Sequence, residues 1–199
     1  MIVLLVPIWI LFFRILNIIN QNIKRNLISS VHSMICIILC YQNKNNMIYY
    51  WSTSYYVYDL IIQLIFSPTI YNTTNMTLSL HHIIAVYTLE YLRTSDKNFL
   101  ELFMFMFLIL EVSNIPMYLM YHWIQINKKK ENENIYNKII TKLLLILEML
   151  AFLILRIIYS LYVLVTTYHL LSYDIILISI LLYMMSVFWW TSMVHQLIK

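Results

Sequence analysis

Apolar positions in this chain run on without the alternation of a half-buried strand, and polar positions collect in the short breaks between the runs. A helix crossing the hydrocarbon core of a bilayer needs ~20 predominantly apolar residues. Seven stretches approach that length: Ile2–Ile19, Leu27–Tyr41, Tyr49–Phe66, Met76–Leu92, Phe99–Ile126, Ile139–Thr167 and Leu170–Ile198. The second and fourth are short. Membrane strands alternate lipid-facing and lumen-facing side chains, which these runs do not. The first run lacks a basic amino end, is interrupted by Arg14 and is followed by no small-residue cleavage site, so it is expected to be a helix rather than a cleaved leader.

The breaks at Gln42–Asn46, Asn72–Thr77 and Asn127–Asn137 are rich in Asn and Lys and read as solvated connections. They leave no room for a second, water-soluble core, so the expectation is one membrane domain over residues 1–199. Composition agrees: 62% of residues are hydrophobic, against roughly 45 to 50% in soluble domains. Lys and Arg in short loops set orientation. With the N-terminus outside, Lys24, Arg25, Lys128, Lys129, Lys130, Lys138, Lys142 and Lys199 share one side and Lys44, Arg93 and Lys97 the other. The C-terminus is therefore expected to face the cytosol, and the sequons at Asn72 and Asn75 should stay unmodified.

Ionisable groups inside such runs are expensive and are functional candidates by default. They are Arg14, His32, Asp59, the pair His81 and His82, Glu111, Glu148 and Arg156. Cys36 and Cys40 are one turn apart on one helix face, where a disulfide would be strained, and are read as packing residues. The net charge of +4 resides in loop lysines and points to no nucleic-acid partner.

Five polar motifs follow one another in a fixed order: Arg25 with Ser29-Ser30-Val31-His32; Tyr55-Tyr56-Val57-Tyr58-Asp59-Leu60; Leu80-His81-His82-Ile83-Ile84; Leu110-Glu111-Val112-Ser113-Asn114-Ile115-Pro116; and Leu155-Arg156-Ile157. Each falls on a different predicted helix. In this order they resemble the TLC-domain family of multi-span membrane proteins, which includes ceramide synthases, translocating-chain-associated membrane proteins and smaller proteins of lipid homeostasis. The likeness runs from about Arg25 to Trp190. It implies an endoplasmic-reticulum-type membrane and a six-helix barrel around an intramembrane cavity over residues 25–199, preceded by one helix over residues 1–20. In ceramide synthases the paired histidines and downstream acidic residues belong to the acyl-transfer site. This chain departs from them: Phe107-Leu108-Ile109-Leu110-Glu111-Val112-Ser113-Asn114 lacks their additional histidine and looks more like the smaller members. The resemblance therefore implies lipid handling without carrying over ceramide synthase activity.

Neighbouring helix positions point ~100° apart, so only one of His81 and His82 is expected to face the interior. That imidazole is a candidate general base for acyl transfer, with Asp59 or Glu111 as the carboxylate that fixes its tautomer. His32, Tyr55, Tyr58, Asn114 and Arg156 are expected as polar cavity or lipid-binding groups. Arg156 is expected to pair with Asp59 or Glu111, because an unpaired guanidinium in hydrocarbon is costlier than a buried pair. Pro116 frees a carbonyl and bends its helix. No two-ligand helical motif such as Glu-x-x-His occurs, so neither a metal nor another cofactor is expected. The competing account of all these groups is interhelical glue that fixes register. Three functions compete accordingly: a binder of membrane lipid, an N-acyltransferase using acyl-CoA, and a secretory-pathway cargo receptor.

Overall fold

The computed structural model describes residues 2–16, 21–66, 73–94, 97–127 and 135–198, and all of its regular elements are helical. The helices are α1 (Ile2–Ile15), α2 (Gln21–Tyr41), α3 (Asn45–Phe66), α4 (Thr73–Arg93), α5 (Lys97–Asn127) and α6 (Ile135–Ala151). After α6 the helix runs on as a π-helix over Phe152–Tyr159 and as α7 (Ser160–Thr167), ends in a single 3-10 turn, Tyr168–Leu170, and is followed by α8 (Tyr173–Ile198). The expected all-α fold is present, with seven helical rods among the described residues once α6, the π-helix and α7 are taken as one.

Among the described residues, four stretches are long and apolar enough to cross a membrane: Ile23–Tyr41, Leu100–Asn127, Ile135–Leu170 and Tyr173–Leu197. The chain is accordingly an integral membrane protein. Helices α3 and α4 have the length, at 22 and 21 residues, but carry polar positions that lower their mean hydropathy. In α3 those positions, Ser52, Thr53, Ser54, Asp59 and Gln63, are all buried. The large apolar side chains point the other way, with Ile38, Leu64, Ile83, Leu143, Ile154 and Leu177 all more than half exposed. Polar groups inside and apolar groups outside are what a lipid solvent selects, since lipid tails are as apolar as leucine.

Two sequence expectations for the connections are corrected. Helix α2 begins at Gln21, so Gln21-Asn22-Ile23-Lys24-Arg25-Asn26 is helical, and α4 begins at Thr73, inside the stretch Asn72–Thr77 expected as loop. Likewise Asn45 and Asn46 already belong to α3, and Ile135, Tyr136 and Asn137 to α6. Asparagine and lysine disfavour a helix interior only weakly, and flanking helix outweighs that preference. Lys128, Lys129, Lys130 and Asn72 lie outside the described residues.

With no glycine available, the end of α2 uses asparagine for its left-handed residue. Asn43 has φ 54°, its N–H donates to the Cys40 carbonyl at 3.0 Å, and the Lys44 N–H donates to Leu39 at 3.0 Å. That is a Schellman closure, and asparagine is the residue that tolerates its conformation best after glycine.

The chain divides into two compact units, Met1–Leu108 and Ile109–Lys199. In the first, α3 is the hub, packed by α1, α2 and α4. Its core gathers Trp9, Phe13, Ile28, Tyr55, Tyr56, Tyr58, Ile62 and Leu89. In the second, Leu145, Phe152 and Met193 pack with Met120, Met149 and Trp190, and the Trp190 indole N–H donates to the Met149 carbonyl at 3.2 Å.

Candidate functional site

Arg25, Ser29, His32 and Cys36 fall at i, i+4, i+7 and i+11, which places them on one face of α2. Ser52, Tyr55 or Tyr56, Asp59 and Gln63 form the matching stripe on α3. The two stripes meet in antiparallel order. Arg25 grips Asp59 as a fork, Nε to Oδ1 at 3.2 Å and Nη2 to Oδ2 at 3.1 Å. One turn along, Ser29 Oγ and the Tyr55 hydroxyl lie 2.6 Å apart. His32 stacks on the Tyr55 ring at 3.9 Å between centroids. At the far end, Cys36 Sγ sits 3.3 Å from His32 Nε2 and 3.1 Å from Ser52 Oγ.

Helix α4 adds a second polar ladder on another side of α3. Ser79 Oγ donates to Gln63 Oε1 at 2.7 Å, and Gln63 Nε2 donates to Asp59 Oδ2 at 2.8 Å. His82 Nδ1 lies 3.4 Å from the same Oδ2, without the alignment of a hydrogen bond. The Tyr49 hydroxyl meets Glu90 at the other end of the helix pair, where Arg93 closes on the same carboxylate. Asp59 is thus the node of the network, contacted from α2, α3 and α4, and its side chain is only 4% exposed against 22% for Arg25.

The histidines divide as adjacent helical positions require. His82 is buried and faces Asp59 and Tyr56, while His81 is half-buried with its ring 5.7 Å from that of His82. His32 is buried among Trp9, Tyr55 and Tyr56. Tyr58 is fully buried against Trp9 and Phe13, and its hydroxyl has no hydrogen-bond partner among the described residues. Trp9 ties α1 into the same cluster through its indole N–H, which donates to Ser54 Oγ at 3.1 Å.

The second unit holds its own polar group. Arg156 is 5% exposed and donates from Nε to Ser113 Oγ at 2.6 Å. Its Nη2 donates to Asn114 Oδ1 at 2.6 Å and to the Leu110 carbonyl at 3.1 Å. Its guanidinium also stacks 4.6 Å over the Phe152 ring. Asn114 Nδ2 in turn donates to Glu111 Oε2 at 3.4 Å, so Asn114 links the arginine to the carboxylate. Arg156 and Glu111, an expected pair, thus share Asn114, while Asp59, the other expected partner, is held by Arg25. Neutral oxygen acceptors at this spacing suit the planar donors of a guanidinium fork.

Arg156 sits in the π-helix, a conformation found in well under 1% of residues and frequent at functional sites. Glu148, one turn before it, is buried, and its Oε2 has no partner among the described residues. Among those residues no three His, Cys, Asp or Glu side chains converge as metal ligands. Sequence reasoning passed over Ser52, Gln63 and Ser79, quoted Ser113 in a motif without giving it a role, and took Cys36 for packing. The stripe at i, i+4, i+7 and i+11 on α2 and α3 was the available signal for Ser52, Gln63 and Cys36. No protein-family profile, curated protein or solved structure matches this chain.

Proposed function

We propose that this integral membrane protein is a TLC-type lipid-handling protein, in which the α2–α3–α4 network engages the polar part of a membrane lipid. The observation that carries the reading is the Arg25–Asp59–Gln63–Ser79 chain with His82 beside it, buried within helices whose outer faces are apolar. Isolated interhelical hydrogen bonds in membranes average only ~0.6 kcal/mol, so glue alone is a weak reason to keep an ion pair and two imidazoles there. The ordered motifs of the sequence supply the family part of the reading, and with it an endoplasmic-reticulum-type membrane. The loop charge count supports a cytosolic C-terminus, which absence of glycan at Asn72 and Asn75 would accompany.

The test is lipid mass spectrometry of the purified protein and of Asp59→Asn and His82→Ala. A lipid that co-purifies with the parent and is lost in both variants supports the reading. An identical lipid profile in all three sinks it. The proximity of His82 to a carboxylate also favours a second reading, an N-acyltransferase in which His82 takes the proton from an amine attacking acyl-CoA. Incubation with acyl-CoA and long-chain bases distinguishes the two, because product lost in His82→Ala is expected only of the enzyme.

A further inference from the structure

Helices α1, α2 and α3 line an open cavity of about 340 Å³, within the range of roughly 300 to 1,000 Å³ usual for ligand sites. Its walls are Ile8, Leu11, Phe12 and Ile15 of α1, Val31 of α2, and the indoles of Trp9 and Trp51. Ile8, Leu11 and Ile15 are 53%, 56% and 66% exposed, so the cavity opens outward along α1. In a membrane protein that side meets lipid tails.

One end of the cavity is basic. Lys24 lies seven residues before Val31, on the same stripe of α2 and roughly 10 Å toward its N-terminus. Its ammonium is 5.3 Å from the centroid of the Phe13 ring, beside the cavity wall residue Phe12. Arg14 is exposed in the last turn of α1, and α2 begins seven residues later at Gln21. Lys44 lies just past the far end of α2, 13 residues beyond Val31 in the chain. An apolar trough with the cations Lys24 and Arg14 toward one end matches one class of molecule, with an acyl chain along Ile8–Ile15 and a negative phosphate at the basic end.

We propose that the α1–α2–α3 trough is a binding site for an anionic phospholipid, with its acyl chain against Trp9 and Trp51 and its phosphate at Lys24. This site shares Trp9 with the aromatic cluster beside the Asp59 network but uses none of the network's polar groups, and it goes beyond the function proposed above. It also gives a role to α1, which is too short to be counted among the spans that length and hydropathy establish. Each cation near an anionic membrane surface contributes about fivefold in affinity.

The trough places two tryptophans against the bound chain, and bromine on an acyl chain quenches indole fluorescence on contact. The full chain with Trp123→Phe, Trp189→Phe and Trp190→Phe, reconstituted in phosphatidylcholine vesicles, retains Trp9 and Trp51 as reporters. Titration with dibrominated phosphatidylserine is expected to quench at a lower mole fraction than dibrominated phosphatidylcholine. Lys24→Gln should shift the phosphatidylserine curve about fivefold, and adding Arg14→Gln should bring it to the phosphatidylcholine curve, while Lys44→Gln leaves it in place. Superimposed curves for the two lipids, an equal shift in Lys44→Gln, or no quenching by either lipid would overturn the proposal. The last result is also what a second protein copy covering the trough would give. Lys24→Gln is expected to retain the lipid that co-purifies through the Asp59 network, so failure of this site and failure of the network as a lipid site are read separately.

Discussion

Replacing Asp59 with asparagine keeps the shape of the node and removes its charge. The Arg25 guanidinium then loses a carboxylate that accepts two of its N–H groups at 3.1 and 3.2 Å, and Gln63 loses the ionic character of an acceptor at 2.8 Å. Breaking a buried pair by removing one partner costs about 3–5 kcal/mol. Arg25 keeps 22% of its side-chain surface and can recover water or headgroup contacts, which brings the expected loss for Asp59→Asn to about 2–3 kcal/mol. Arg25→Gln leaves the more deeply buried partner, 4% exposed, uncompensated and should fall in the full range of about 3–5 kcal/mol. The double variant carries no charge at the site. It should lose only about 2–3 kcal/mol, far less than the two single losses added together. Reversible unfolding in mixed micelles, followed by helical circular dichroism, measures all three. A strictly additive cycle, or Asp59→Asn costing more than Arg25→Gln, would refute the assignment of Asp59 as the buried node and Arg25 as its partly solvated partner.

Arg156→Lys keeps the charge but cannot reproduce a planar fork that serves Ser113, Asn114 and the Leu110 carbonyl together, and should destabilise by about 2–4 kcal/mol in the same unfolding assay. Trp9→Phe removes a single indole hydrogen bond to Ser54 while retaining most of the ring packing, so a loss of about 1 kcal/mol is expected, and one above about 3 kcal/mol would show that Trp9 does more than fasten α1. Cys36 is fully buried and Cys40 only partly so. A water-soluble maleimide applied to the detergent-solubilised protein should therefore label the parent and Cys36→Ser but not Cys40→Ser, as intact-mass measurement would report.

Much of this molecule could be read from its order of residues, because a bilayer makes unusually plain demands. Uninterrupted apolar runs must be helices there, since no water satisfies an open backbone. The same demand marked Asp59, His82, Glu111 and Arg156 as interior groups before any coordinates. Helix ends were less legible: Gln21–Asn26 and Thr73–Thr77 look like solvated loop by composition but continue adjoining helices. The π-helix around Arg156 left no mark in the sequence, because Phe152–Tyr159 is as helix-compatible as its neighbours.

Hydrophobicity and charge alone determined the solvent, the helical class and the short list of costly side chains, since each is a local property paid residue by residue in lipid. Which of those side chains meet was decided only by packing. Antiparallel register between α2 and α3 sets Arg25 against Asp59 and Cys36 against Ser52, and the ladder with α4 brings Gln63, Ser79 and His82 to the same node. In the other unit, packing gives Arg156 hydroxyl, amide and carbonyl acceptors that the sequence pattern did not specify. A partner is a matter of distance and direction across helices, and spacing along one helix specifies a face without specifying what that face will touch.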